Sequence, residues 1–510
     1  MTSADLGFGS WKGILGVERA LLLPATPPLR IDRSLQIGLE KELLYAFNSI
    51  LLYAVQRLTR PRRTKTRKPG RNIASDNIIT VLQLFPIMKS VMRFLRRKAK
   101  TPPKSGHPTS NQENKPHQPA AAEQASQQPI NASATDNTLP ISFVNQTSSS
   151  TVYAYITGQA LDNGNKVFLL QADGKTPYYP DSTSETGTAL AANCAIPLGA
   201  PGSTKVVAMP RLAGGRIWFS IDATLTFLVN PGPGLVEPSI NNPTDPNINT
   251  DWVFCEFTYN SFQMFANISY VDFVSIPVAL TLTSKSGSVQ HVAGMDKSGF
   301  QTLCAALRAQ SAKDGQPWAN LIVKDKNGGD LRAISPQNGI SQHPDWFSTY
   351  WTSYIDAVWD FYRKHDMTIN TQAAAGNVVG RVNADNRLDF GNGISFPKPS
   401  SADIFTSNTG PFVTGSNPTT NAIIPRLAAA FNRSTLLLNG VTEFPNGVGT
   451  DKYYTGEVTN HFSRIVHEVN EDGRGYGFPY DDVTPDGGRG VEGAVFEGEP
   501  VGMVVTVGGA

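Results

Sequence analysis

From about residue 137 onward the chain predicts a mainly β fold with an α/β insertion, on three observations. First, short β-rich runs punctuated by Asn, Gly and Pro follow one another from Leu139: ISFVNQT, STVYAYITG, KVFLLQADG, GGRIWFSID, WVFCEFTYN and ISYVDFVSIPVALTL. Their spacing reads as an antiparallel barrel or sandwich. Second, helical periodicity takes over between Lys297 and Asn470, in SGFQTLCAALRAQ, DWFSTYWTSYIDAVWDFYRKH, IIPRLAAAFN and GEVTNHFSRIVHEV. Third, GYGFPYDDVTPDGG and AVFEGEPVGMVVTVGG return to strand character at the end. The expected organisation is a β-barrel over 137–286, a mixed α/β domain over 287–470, and a last segment, 471–510, that rejoins the barrel.

The preceding residues read differently. An apolar stretch at 43–55, LLYAFNSILLYAV, is followed by the basic run QRLTRPRRTKTRKPGR, the reverse of a secretory signal's order. Its thirteen residues, interrupted by Asn48 and Ser49, fall short of the ~20 that span a bilayer. A second apolar-basic segment, Ile78 to Lys100, fits a surface-lying membrane helix, an untranslated stretch before a true start at Met88 or Met92, or a disordered tail. Residues 1–100 are therefore expected to form a basic amphipathic extension. Residues 101–136, rich in Pro, Gln, Ser, Asn and Ala, are expected to be a disordered linker.

Charge divides the chain in the same place. Residues 1–136 hold 21 Lys and Arg against 9 Asp and Glu, a balance of +12; the remainder holds 23 against 33, or −10. An acidic folded region argues against nucleic-acid binding there. Only 17% of residues are charged while 40% are hydrophobic, which leaves a surface rich in amides and hydroxyls and suited to an uncharged polar ligand such as sugar. Three cysteines, Cys194, Cys255 and Cys304, form no CxxC pair and allow at most one disulfide. No HExxH, GxSxG or phosphate-loop motif occurs, so neither metal nor cofactor is expected. Glycosylation sequons at Asn131, Asn145, Asn267 and Asn432 permit export without showing it.

The stretch 251–282 carries the candidate chemistry. Glu256 sits among Trp252, Phe254, Cys255 and Phe257, and Asp272 between Val271 and Phe273. Strand alternation puts Phe254, Glu256 and Thr258 on one face. If the two segments pair as a hairpin, the two acids share that face whenever the paired residue numbers have an even sum. Glycoside hydrolysis uses such a pair, one carboxyl protonating the leaving oxygen and the other attacking the sugar or activating water. Aromatic neighbours would keep Glu256 protonated as the acid while Asp272 stays ionised. Taken singly, each acid is more readily read as part of a solvated strand face.

The strings GGRIWFS, EPSINNPTDPN, WVFCEFTYN, ISYVDFVSIPV, YIDAVWDFY, LDF, DIF and GYGFPYDDV follow one another in the order of the glycoside hydrolase family 64 β-1,3-glucanases, and the chain resembles that family over nearly all of 137–510. The resemblance implies a thaumatin-like barrel and an α/β domain flanking a wide groove. It also implies Glu256 as general acid and Asp272, sixteen residues on, as general base of an inverting, cofactor-free cleavage of internal β-1,3-glucosidic bonds that releases short oligosaccharides, typically the pentaose. Asp245, Thr258 and Asn260 match family binding positions, although turn and strand preferences explain the same residue types. Phe265 stands where the family places a sugar-stacking tryptophan.

Arg216 and Trp218 share a strand face, available for sugar hydrogen bonding and stacking or for a structural ion pair. Asp481 and Asp482 resemble acidic cleft residues and are reserve candidates for the base, or they stabilise a turn. Trp359 and Phe361 read as helix core. The expected partner is β-1,3-glucan, met by a monomer outside the cell or in its wall. A cytoplasmic place and membrane contact through the basic extension are alternatives. Two rivals are a glucan-binding protein that has lost catalysis and a structural protein tethered by its basic tail.

Overall fold

The computed structural model describes residues 137–509; the expected basic extension and linker lie outside the described residues. Two larger sheets dominate. The first has five strands in the order Val289–Val292, Val278–Ser284, Pro500–Val507, Thr138–Asn145 and Thr204–Pro210. Pro500–Val507 lies parallel to Thr138–Asn145 and antiparallel to Val278–Ser284, so the beginning and end of the described chain are zipped side by side. The second sheet runs Ala494–Glu497, Met264–Asn267, Asp251–Tyr259, Leu212–Ile221, Val152–Ala160, Lys166–Leu170 and Pro177–Tyr178, with Ile196–Pro197 also paired to Val152–Ala160. Inner faces of the two sheets meet where the rings of Phe143 and Phe219 pack edge to face at 5.4 Å.

Between residues 293 and 470 the helices gather, together with a five-stranded sheet of short strands and a three-stranded sheet that also takes in Phe273–Val274. The helices run Gly299–Asp314, Pro336–Gln342, Thr352–Tyr362, Ser401–Thr406, Pro418–Asn432 and His461–Val469. Several starts follow from capping. Asn417 accepts hydrogen bonds from the Thr419 and Thr420 amides ahead of Pro418, and Ser400 with Asp403 forms a reciprocal capping box. Trp359 and Tyr362 are buried in the helix that carries them, while Phe361 is half-buried against the core. The boundary expected at 286 falls inside the hairpin that pairs 278–284 with 289–292, so the first sheet extends to Val292. One core runs from Leu139 to Val507 without a break between the β and α/β parts, and the described residues belong to one compact unit.

All three cysteines are free and buried, so no disulfide braces this fold. Asn145 and Asn432 are fully buried and Asn267 is 8% exposed; none of these sequons presents an accessible acceptor, and Asn131 lies outside the described residues. No described helix is long and apolar enough to cross a membrane.

Candidate active site

The site is built on the strand Asp251–Tyr259. Its residues alternate as expected, with Val253, Cys255, Phe257 and Tyr259 buried on one face and Glu256 and Thr258 half-buried on the other. Trp252 and Phe254 share the Glu256 face and are covered: their rings and that of Trp218 lie 5.0–6.4 Å apart in a continuous aromatic layer. Glu256 stands where this layer ends, with 39% of its side chain still exposed. Desolvation by the groups packed around it pushes its carboxyl above the usual range. Arg216 opposes that shift, and the negative charges of Asp272 and Glu237 reinforce it.

Arg216 is the direct cross-strand partner of Glu256. Its guanidinium lies 4.8 Å from the Phe254 ring centroid and reaches two carboxylates unequally. Nη1 donates to Glu237 Oε2 at 2.6 Å, whereas Nη2 and Nε stand 3.3 and 3.4 Å from Glu256 Oε1. The shorter contact shows where most of the cation's attraction goes. Glu237 is fixed in turn, since Thr157 Oγ1 donates to its Oε1 at 2.9 Å and Trp218 Nε1 donates to Thr157 Oγ1 at 3.0 Å. Sequence reasoning did not single out Glu237. Its only signal was a carboxylate opening the EPSINN string, and its partners come from distant strands.

Asp272 arrives by a route other than the expected hairpin. The strand Asp251–Tyr259 pairs with Met264–Asn267 in a register that sets Glu256 opposite Asn267, an odd sum that would put Asp272 on the wrong face had pairing continued. It stops instead: the Ile268 amide donates to Gly493 and the Tyr270 amide to Tyr476, and Asp272 lies in the bend that follows. The Ser335 amide donates to the Asp272 carbonyl at 2.9 Å, and Asn338 Nδ2 stands 2.9 Å from that carbonyl and 3.3 Å from Oδ1. Asn241 Nδ2 donates to Asn338 Oδ1 at 2.6 Å, tying this support to the loop that carries Glu237. The charge of Asp272 acts on both Glu256 and Arg216.

The other expected site residues divide. Thr258 and Phe265 are direct partners on the face of Glu256, one row along, and both are half-buried. Asn260 is occupied through Oδ1, which accepts the Phe262 and Gln263 amides and closes the hairpin turn. Three of the expected residues are buried. Trp218 is 1% exposed beneath its neighbours, so it stiffens the sheet and offers no stacking surface. Asp245 is 6% exposed; it accepts the Ser239 amide on one oxygen and the Asn247 amide and side chain on the other, which shapes the loop carrying Glu237. Asp481 is fully buried between Arg433 and His467 and is no reserve base. Asp482 is half-buried, its carboxyl pushed up by burial despite a hydrogen bond from Tyr476. Among the described residues no group of three or more His, Cys, Asp or Glu is placed to hold a metal.

A half-exposed carboxyl stands over an aromatic floor with a second carboxylate in electrostatic reach, and glycoside hydrolysis draws on two such carboxyl groups. The sequence pattern of the glycoside hydrolase family 64 β-1,3-glucanases matches residues 137–507, and the chain belongs to that family. It is 26% identical over 358 residues to glucan endo-1,3-β-glucosidases of Cellulosimicrobium cellulans and of Arthrobacter sp. strain YCWD3, covering 69% of this chain and 62% of each relative's length. The fold is similar to a crystal structure of a laminaripentaose-producing β-1,3-glucanase in complex with laminaritetraose, with TM-score 0.64, 29% identity and coverage of 73% of this chain and 99% of that one. A β-1,3-glucanase domain from Clostridium beijerinckii shares the fold at 20% identity, TM-score 0.56, covering 73% and 98% of the two chains.

Proposed function

We propose that the protein is an endo-acting β-1,3-glucan hydrolase that works with inversion, with Glu256 as general acid and Asp272 as general base. The observation that carries this reading is the unequal grip of Arg216, 2.6 Å on Glu237 and 3.3 Å on Glu256. A cation fully committed to Glu256 would hold it ionised; one neutralised by Glu237 leaves it able to carry the proton that the leaving oxygen needs. Asp272, held through its own carbonyl and by Asn338, is the partner that activates water. The glucan lies across the face bearing Glu256, Thr258 and Phe265, in a groove between a thaumatin-like barrel and the α/β part. Short oligosaccharides, the pentaose among them, are the expected products of a monomeric enzyme acting on extracellular or cell-wall glucan.

The test is hydrolysis of linear β-1,3-glucan by the full chain, following product length and anomeric form. Discrete oligosaccharides released with inverted configuration are expected. Retained configuration would overturn the base role of Asp272, and glucan binding with no product would replace the enzyme by a lectin-like protein.

Glu237 supplies a separate prediction. Three charged groups act on Glu256: Arg216, Asp272 and Glu237. In Glu237→Gln, one charge that raises the Glu256 pKa is lost and Arg216 is freed to turn toward Glu256, so both changes lower it. The alkaline limb of kcat/KM, which reports the protonated acid, is expected to move to lower pH. An unmoved limb would show that Glu237 has no hold on the acid.

A further inference from the structure

We propose that Phe496, with Phe265 beside it, forms a stacking surface for one glucosyl ring of the β-1,3-glucan, extending the binding face beyond the catalytic strands to the edge of the sheet; this rests on the glucanase reading above. The register gives the placement. Arg216, Glu256, Asn267 and Ala494 make one row of direct partners across four strands, and Thr258, Phe265 and Phe496 make the next. Directly paired residues project from the same face, so Phe496 shares the face of Glu256. Two strands over and two residues along, its Cα lies roughly 12 Å from that of Glu256 by ordinary sheet spacings.

Exposure singles it out. Val495, next to it, is buried at 1%, whereas Phe496 is 51% exposed. Among the described residues the other large hydrophobics with comparable exposure are four valines and Phe262, which sits in the turn joining the two strands that lead to this corner. Lone exposed apolar residues need no explanation, but rings gathered on one face beside a site do.

The edge strand shows which kind of partner fits. A free edge invites another strand through its open amides and carbonyls. At Phe496 that route is closed, because its amide donates to Gln290 Oε1 at 3.0 Å and its carbonyl accepts from Gln290 Nε2. The side-chain amide of Gln290 thus takes the place of a strand partner, fixes the backbone and leaves the ring as the group on offer. A fixed, uncharged aromatic face suits the C–H face of a β-linked glucosyl ring, whose hydroxyls are equatorial and point sideways. Ordering of the backbone in advance lowers the entropy lost on binding.

The test compares affinity for soluble linear β-1,3-glucan in full-length Glu256→Gln and in the double variant Glu256→Gln/Phe496→Ala, by calorimetry. Loss of roughly 50 Å² of ring cover corresponds to about an eightfold fall in affinity, with Phe496→Trp in the same background at least matching the parent. Because the ring is exposed, the melting temperature stays unchanged and reports that the fold is intact. Equal affinity in the single and double variants overturns the proposal while leaving the glucanase reading standing. The proposal is equally overturned if Phe496→Ala leaves glucan affinity alone and converts a dimer to a monomer, which would make this corner an interface between copies. Failure of the native chain to bind β-1,3-glucan at all would remove the functional reading itself.

Discussion

Replacing Glu256 by Gln is expected to lower hydrolysis of β-1,3-glucan by about 10²–10⁴-fold while leaving glucan binding and the melting temperature near those of the native protein. Glutamine keeps the shape of the side chain and can still accept from Arg216, but it has no proton to give. Arg216 keeps its short contact to Glu237, so no cation is left unpaired. Asp272→Asn is expected to match that loss for a different reason, since an amide cannot accept the proton of the attacking water, while its carbonyl contacts to Ser335 and Asn338 persist. The pair of variants is checked by turnover of linear glucan beside binding of the same glucan. Substantial turnover in Glu256→Gln would place the acid elsewhere, and loss of binding in either variant would mean that the change had disturbed the sugar face as well as the chemistry.

What the sequence revealed of this site follows the range of the interactions. Alternation along DWVFCEFTY is local, so the shared face of Glu256 and Thr258 is legible from residue order alone. Phe265 enters the same way, through a hairpin closed by the Asn260 turn. Asp272 lay just beyond that reach. Its even-sum condition assumed pairing that continued past Asn267, and the chain left the sheet because residues near 476 and 493, from the far end of the sequence, took over its hydrogen bonds. Burial was the least legible quantity. Trp218 alternates correctly with Ile217, yet only the rings of Phe227, Trp252 and Phe254, brought to it from other parts of the chain, and the Arg216 guanidinium decide that it is covered. Glu237, Asn338 and Phe496 escaped notice for one reason: each acquires its role from a partner that tertiary structure brings to it. The same limit applies to the adjacent acids of FPYDDV, where one is fully buried and the other half-buried.

Asp481→Ala is expected to destabilise the folded protein by about 3–5 kcal/mol, the range for breaking a buried ion pair by removing one partner. Arg433, 2% exposed in its side chain, donates to Asp481 Oδ1 at 2.9 Å, and His467 Nε2 and the Gly477 amide reach Oδ2 at 2.9 and 2.8 Å. These contacts bind the helices Pro418–Asn432 and His461–Val469 to the returning end of the chain. With the carboxylate gone, the Arg433 cation stays buried against Tyr453 and Phe478, met by backbone carbonyls and the Tyr454 hydroxyl in place of its carboxylate partner. The same network predicts how stability changes with pH. Burial alone would raise the Asp481 pKa, but His467 and Arg433 outweigh it and hold it below the usual carboxylate range. Its contribution is thus full above the unfolded value of about 3.9 and fades as pH falls through the lower folded value. Burial alone would lower the His467 pKa, but Asp481 outweighs it and raises it. That contribution is full below about 6.5 and is lost as pH rises through the raised value. Urea unfolding across this range should therefore show both losses in the native protein and neither in Asp481→Ala. A variant as stable as the native protein, or one with the same pH dependence, would show that the buried network does not hold these elements together.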